Sequence, residues 1–232
     1  MLAKFKVPPT QIVLACDATY LKDHFVVLAV SVVVAGCAIP VAWHIQTGDQ
    51  KGHWNPIWID LLNRLRDAIP ASCKVFVLTD SGLYSKPLFQ HIKNDLHWTA
   101  LMRIEGSQGL FQHKNRKTWV ALPTLYARGM TPLACKGKCF KSSSIDCTLL
   151  IQWDDKYDKP CLIVSNIALK AVNHQIYGIR YWIECGFKDI KRDLFHWEQT
   201  KMMDPQRAER LWLVISIGLL WLTSVGETAF DS

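Results

Sequence analysis

Two short apolar runs that each end in an aspartate organise the expected fold: QIVLACD at residues 11–17 and KVFVLTD at residues 74–80. Aliphatic and β-branched residues in runs of this length are typical of buried strands. Similar runs at residues 25–34 and 39–45 follow the first after short links, so the first three strands are expected to form an antiparallel meander. An acid at the end of a buried strand is costly unless it has a partner or a task, which makes both aspartates candidates for function.

Helical patterns lie between the later strands. Asn55-Pro56 starts a helix with apolar residues at helical spacing, Ser85 caps a second helix, and residues 97–104 form a fifth strand. The first part of the chain therefore predicts the order β-β-β-α-β-α-β. A mixed sheet with strand order 3-2-1-4-5 would place the strands of Asp17 and Asp80 side by side, at the kind of edge where α/β proteins bind ligands.

The remaining sequence divides into an irregular part and two helices. Residues 105–167 predict a mainly β insertion with a short strand at residues 119–122. Residues 168–194 predict a long helix, and residues 205–225 another helix. We therefore expect an α/β fold in which helices flank the sheet and the insertion precedes the last functional helix. Its parts are the first section of the core at residues 1–104, the insertion, and the C-terminal helices of the core at residues 168–232.

The composition excludes several classes of protein. The chain has 232 residues, a net charge of +7 and 50% hydrophobic residues, which excludes a disordered chain and points weakly to a nucleic-acid partner. The uncharged run at residues 25–43 is long enough for a membrane span, but its valines are broken by Gly36 and Pro40 and predict two strands. The uncharged run at residues 211–226 predicts a buried core helix. We therefore expect no membrane partner and a cytoplasmic location.

The eight cysteines are expected to be reduced, because no secretory signal precedes them and most lie in apolar stretches. Cys135, Cys139 and Cys147 leave a zinc site open as an alternative. Their spacing lacks the two paired ligand positions of a zinc ribbon, so the sequence alone does not decide between the two interpretations.

The predicted helix at residues 168–194 carries a polar stripe and an apolar face. The apolar face consists of Ile176, Ile179, Trp182, Ile183, Phe187, Ile190 and Leu194. The stripe places one carboxylate among cations and a phenol at helical spacing: Tyr177, Arg180, Glu184, Lys188 and Lys191. Asp17, Asp80 and Glu184 together would suit a hard divalent cation such as Mg²⁺, and the cations beside them would hold phosphates. A solvated helix face with i,i+4 ion pairs, and aspartates that only cap turns, would explain the same residues without a function.

The stripe resembles a known signature. Tyr177, Arg180, Glu184 and Lys191 match the Y-R-E-K pattern of DDE transposases of bacterial insertion sequences, in the insertion-sequence-4 group. Asp17 in CDATY and Asp80 in LTDSGLYS resemble the first and second catalytic aspartates of that family. Residues 11–225 are covered by the resemblance.

The resemblance implies a ribonuclease-H-like core in which Asp17, Asp80 and Glu184 are catalytic and bind two Mg²⁺ ions, for which Mn²⁺ substitutes. The enzyme would cut double-stranded DNA at the element ends and join them to target DNA, working as a homodimer in the DNA complex in the bacterial cytoplasm. The residues expected to contact DNA are Tyr177, Arg180, Lys188, Lys191 and Trp119. Of these, Trp119 would stack on a flipped base.

Other interpretations remain open at this stage. Trp119 is also explained as a core residue of the insertion. The whole chain is also explained as a ribonuclease-H-like nuclease without strand transfer, or as a truncated, inactive DNA-binding remnant. Relatives usually carry an N-terminal helical segment for end binding, whereas this sequence begins shortly before its first catalytic strand. The resemblance is therefore to the catalytic domain without that segment.

Overall fold

The structure is a computed structural model that describes residues 10–22, 24–50, 54–105, 109–171 and 175–230. Contacts divide the chain into two compact units, one formed by Met1–Val75 with Ile179–Ser232 and the other by Phe76–Gly178. The predicted division into a core and an insertion uses other boundaries and stays a prediction.

The first unit combines three strands with three helices, and a fourth strand begins in it. Its elements in chain order are β1 (Gln11–Leu21), β2 (Phe25–Val34), β3 (Cys37–Thr47), α1 (Asn55–Arg66), the start of β4 (Lys74–Thr79), α3 (Tyr181–Lys188) and α4 (Pro205–Phe230). β1 pairs antiparallel with β2, and β2 with β3, which confirms the predicted meander. β2 is apolar and almost wholly buried because, besides its two partner strands, helices α1 and α3 contact it.

The second unit continues the same series of strands. Its elements are the rest of β4, α2 (Lys86–Gln90), β5 (Thr99–Arg103), β6 (Leu110–His113), β7 (Val120–Ala121), β8 (Leu133–Cys139), β9 (Ile145–Gln152) and β10 (Cys161–Ser165). The strand order is β3-β2-β1-β4-β5-β10-β9-β8-β6-β7, which confirms the expected 3-2-1-4-5 order. The region expected to be mainly β is so, and its strands extend the sheet beyond β5.

One prediction about β1 is wrong. Asp17 was expected to end the strand, but β1 continues to Leu21, and Asp17 pairs with Ala29 of β2. The reason is the hairpin: residues after Asp17 keep pairing with β2 until Leu21 faces Phe25, and Thr19 and Leu21 are buried. The acid therefore lies inside a strand whose backbone holds it on both sides.

The prediction of one long helix at residues 168–194 is also wrong for the first half of that range. The chain there forms a short 3₁₀ turn, Leu169–Ala171, and a second one, Gly178–Arg180, before α3 begins. Gly178 lies at this break and has a low helix propensity, which favours the interruption. The expected apolar face is confirmed for Ile176, Ile179, Ile183, Phe187 and Ile190, which are buried.

The helix changes its winding at its C-terminal end. A π-helical turn at Asp189–Asp193 follows α3 and shifts the phase of the residues after it. Leu194 was expected on the buried face and is exposed instead. Within α3, Gly186 lets the helix approach β3 closely. A Cβ atom at this position would lie only 3.0 Å from the carbonyl oxygen of Ala38 in β3.

The prediction that residues 211–226 form a buried core helix is correct for one face only. Trp212 of α4 packs against Trp43, Phe187 and Trp197 with ring centroids 5.4 to 6.3 Å apart. The outward face of α4 is also apolar and is exposed. By length and composition, α4 is the one helix in the described ranges that is long and apolar enough to cross a membrane.

Candidate active site

Asp17 and Glu184 meet at the side chain of Arg180. Nη1 of Arg180 donates to Oδ2 of Asp17 at 2.9 Å, and Nη2 donates to Oε1 of Glu184. The arginine side chain is 9% exposed, that of Asp17 18% and that of Glu184 46%. The backbone N–H of Ala18 donates to the other Asp17 oxygen at 2.8 Å. We call Asp17, Arg180 and Glu184 the carboxylate clamp.

Local structure explains how the clamp forms. Arg180 is the residue before α3, and Glu184 lies four residues later, a spacing that brings two helical side chains to one side. The buried Ile179 and Ile183 hold this end of the helix in the core of its unit. A buried guanidinium is stable only when its charge is paired, so the two carboxylates account for its burial.

Asp80 lies in the second unit, directly after β4, where it precedes the 3₁₀ turn Ser81–Leu83. Arg103 ends the neighbouring parallel strand β5, and the register that pairs Thr79 with Met102 brings it beside the aspartate. Nη1 of Arg103 lies 3.8 Å from Oδ1 of Asp80, and both side chains are about one-third exposed. Arg103 was not among the predicted site residues, although its position at the end of the predicted fifth strand is the signal that identifies it.

Tyr177 belongs to the same unit as Asp80. Its side chain is buried, and its hydroxyl donates to the backbone carbonyl of Thr79 at 2.9 Å, one residue before the aspartate. This contact joins the turn at residues 175–177 to the end of β4. It attaches Tyr177 to the backbone one residue before Asp80, whereas the predicted contact with DNA stays a prediction.

The two lysines of the predicted stripe follow Glu184 on the same helical segment. Nζ of Lys188 lies 2.8 Å from Oδ2 of Asp193, and this hydrogen bond raises the pKa of the lysine. Lys191 donates to the backbone carbonyl of Tyr20 at 3.3 Å, and partial burial lowers its pKa. The structure thus places Lys191 at the far end of β1, the strand that carries Asp17.

Trp119 lies in the second unit, immediately before the short strand β7, and it is half-buried. The predicted strand at residues 119–122 is shorter in the structure and covers Val120–Ala121. Trp119 therefore lies directly before a short strand, with part of its surface accessible. Its predicted role in stacking on a base stays a prediction.

The donor atoms suit a hard cation in kind. Carboxylate oxygens are the ligands that Mg²⁺ takes, and those of Asp17 and Glu184 already converge on one positive group. Among the residues that the structure describes, no three His, Cys, Asp or Glu side chains are grouped closely enough to hold a metal ion. A cation held by both clamp carboxylates would therefore compete with the guanidinium of Arg180.

The same finding applies to the cysteines left open as zinc ligands. Cys135, Cys139 and Cys147 lie on the adjacent strands β8 and β9, and all are free thiols. Burial raises the pKa of Cys135 to about 11, and a hydrogen bond with Cys139, together with burial, raises that of Cys147. A zinc ligand must be a thiolate, so zinc binding here would have to release the protons of Cys135 and Cys147.

The sheet order 3-2-1-4-5, with one acid inside β1 and another directly after β4, is the arrangement of a ribonuclease-H-like α/β fold. Residues 19–221 match the family model of the transposase DDE domain, and the chain belongs to this family. The matched range begins two residues after Asp17. No curated protein sequence matches the chain.

Several solved structures are similar to this chain, and two of them represent different kinds of protein. One is a piggyBac transposase synaptic complex with hairpin DNA, at 13% identity and a TM-score of 0.48, covering 91% of this chain and 45% of that one. The other is the catalytic domain of human endonuclease V, at 13% identity and a TM-score of 0.42, covering 81% of this chain and 85% of that one. The chain thus spans less than half of the piggyBac transposase chain.

Proposed function

We propose that this chain is the catalytic domain of a DNA transposase of the insertion-sequence-4 group, which cuts phosphodiester bonds at element ends and joins them to target double-stranded DNA. Family membership over residues 19–221 supports the class of reaction. The observation that carries the proposal for this chain is the carboxylate clamp. Two acids that lie far apart in sequence, on β1 and α3, meet at one point inside a unit of the protein.

In this proposal the three acids bind metal ions, and Arg180 balances the charge of two of them when no metal is bound. Asp17 and Glu184, together with Asp80, would hold two Mg²⁺ ions, with Mn²⁺ as a substitute. When bound, such ions polarise the phosphodiester and stabilise the oxygens that attack and leave. In their absence Arg180 neutralises two carboxylates that would otherwise repel each other. We propose that its guanidinium transfers to a DNA phosphate once cations take the carboxylates, because a guanidinium pairs with phosphates as well as with carboxylates.

Basic residues near the acids would bind the DNA backbone. Lys188 is exposed on the segment that carries Glu184, and Lys191 lies beside the end of β1. Tyr177 would act through its contact with Thr79, which fixes the backbone before Asp80. Trp119 would stack on an unpaired base with its accessible part. A homodimer in the DNA complex and a bacterial cytoplasmic location complete the proposal.

The test uses DNA that needs no known end sequence. A labelled duplex with a free 3′-hydroxyl is incubated with supercoiled plasmid, the protein and Mg²⁺ or Mn²⁺. Joined product would support the transposase proposal, and nicked plasmid without joined product would support a nuclease without strand transfer. Binding that weakens with salt, with no cleavage in either metal, would support an inactive remnant. Asp80→Asn is the inactive control and is expected to give neither nicked nor joined product. Its fold is expected to survive, because the pair of Asp80 with Arg103 is partly exposed.

A further inference from the structure

The outward face of α4 is a continuous apolar surface. Six exposed side chains repeat along it at helical spacing: Leu213, Val214, Ile217, Leu220, Trp221 and Val225, each between 49% and 67% exposed. We call these six residues the outer stripe. The opposite face of the same helix is packed in the core through Trp212, Ile215 and Leu219. A helix that is apolar on all sides is normally buried on all sides. The exposed outer stripe is therefore expected to be a surface that binds another molecule.

A membrane is a poor match for this surface. The uncharged part of α4, residues 211–226, is about 24 Å long at 1.5 Å per residue, which is shorter than the roughly 30 Å hydrocarbon core of a bilayer. Arg207, Glu209 and Arg210 precede it directly. The helix is also fixed to its own unit, because Trp212 is fully buried among three other aromatic rings.

A second copy of this chain matches the surface in area and charge. At their exposures the six side chains offer on the order of 600 Å² of apolar surface, close to the roughly 800 Å² that each partner contributes to a standard interface. The outer stripe carries no charge, so two identical stripes would bury no unpaired ion. A two-fold symmetric interface requires this kind of self-complementary patch.

A groove at the start of α4 adds a site for an anchor. It has a volume of about 550 Å³ and lies between β3, α1 and α4, where apolar side chains such as Val41, Leu65 and Leu213 line it together with the charged Arg64, Glu209 and Arg210. Two antiparallel α4 helices that cross at Ile217 would place Trp221 of each copy against Leu213 of the other, at the mouth of this groove. A large aromatic side chain that enters a pocket is the usual centre of binding energy in an interface, and Arg210 would lie against its ring.

We propose that this protein forms a two-fold symmetric dimer without DNA, through antiparallel pairing of the outer stripes, with Trp221 of each copy anchored in the groove of the other. The proposal does not depend on the chemistry of the carboxylate clamp. It therefore stands or falls separately from the proposed transposase activity.

The test measures the mass of the whole chain by sedimentation over a range of concentrations, without DNA. The unaltered protein is expected to be a dimer, and Trp221→Lys is expected to raise the dimer dissociation constant by about 100-fold, since it buries a charge in an apolar interface. Tyr157→Lys is the matched control, because Tyr157 lies in the other unit and is as exposed as Trp221, at 65%. Ile217→Lys is a second, independent variant in case one of them fails to fold.

A cross-link checks the register. Ile217→Cys is expected to form covalent dimers with a short bismaleimide, above the background of the natural cysteines, and Tyr157→Cys is not. A monomer up to about 100 µM, far above a typical stable Kd, would overturn the proposal. A dimer unchanged by both Trp221→Lys and Ile217→Lys would do the same. Flotation of a monomer with phosphatidylcholine–phosphatidylglycerol vesicles would assign the outer stripe to a lipid surface instead.

Discussion

Two arginine–aspartate pairs, one in each unit, use the same residue types in different surroundings. Arg180 and Asp17 are 2.9 Å apart, with side chains 9% and 18% exposed, whereas Arg103 and Asp80 are 3.8 Å apart, with side chains 35% and 36% exposed. The first pair is largely buried, since the packed start of α3 carries the arginine into the core of its unit. The second follows from the register of parallel strands and is screened by water. Burial, rather than residue type, therefore decides whether such a pair supports the fold.

The largest expected effect is on DNA cleavage. Here the buried and the exposed aspartate are expected to be equally important. Asp17→Asn and Asp80→Asn are each expected to lower Mg²⁺-dependent nicking of supercoiled plasmid by about a thousandfold, because a lost metal ligand removes several kcal/mol of transition-state stabilisation. DNA binding, measured by filter retention, should stay within about threefold, since neither aspartate carries positive charge for phosphate. Nicking that persists in either variant would contradict the proposed roles.

The next effect should separate the two pairs by stability. Arg180→Met is expected to lower the free energy of unfolding by about 2–3 kcal/mol, because it leaves Asp17 partly buried without its main cation. Arg103→Met should lower it by about 0.5 kcal/mol or less, as for other exposed pairs. Urea unfolding of the two variants gives both values. Equal losses would show that burial of the first pair does not make it structural.

A smaller effect tests the neighbour of Asp80. Tyr177→Phe removes a buried hydroxyl that donates to the Thr79 carbonyl, and it is expected to lower the free energy of unfolding by about 1 kcal/mol. Tyr157→Phe is the control with an exposed ring and should change stability little. If Tyr177→Phe keeps full stability but weakens DNA binding, its hydroxyl contacts DNA rather than the turn.

The smallest effect concerns the lysines beyond the carboxylate clamp. Lys188→Met and Lys191→Met are each expected to reduce the slope of log affinity against log salt by about 1, because each removes one phosphate contact. Stability should change by less than about 0.5 kcal/mol for Lys188, since its pair with Asp193 is exposed. Lys156→Met, in an exposed turn of the other unit, is the control and should leave the slope unchanged.

The sequence was informative where patterning is strong. The strands of the meander, β4 and the order 3-2-1-4-5 were predicted, because valine-rich runs and short links leave few arrangements. The pairing of Arg180 with Glu184 follows from i,i+4 spacing, although sequence analysis assigned Arg180 to DNA alone. Its contact with Asp17 depends on how α3 packs, which no local pattern contains.

Other features depend on tertiary context. β1 continues past Asp17 because its partner β2 continues as well, a fact about pairing rather than about the run itself. The break before α3 and the π turn after it change which side chains share a face, so a helical stripe drawn through Tyr177 and Lys191 was unreliable. The exposed side of α4 was missed, because an apolar run does not say which of its faces is covered.

The central claim is that Asp17, Asp80 and Glu184 hold divalent cations, and the most direct test is anomalous diffraction from crystals of the protein grown with Mn²⁺. The account predicts an anomalous peak bonded to oxygens of these three carboxylates, with the guanidinium of Arg180 displaced from at least one of its two partners. Crystals at saturating Mn²⁺ with no peak at these acids, and with Arg180 still bonded to both Asp17 and Glu184, would contradict it.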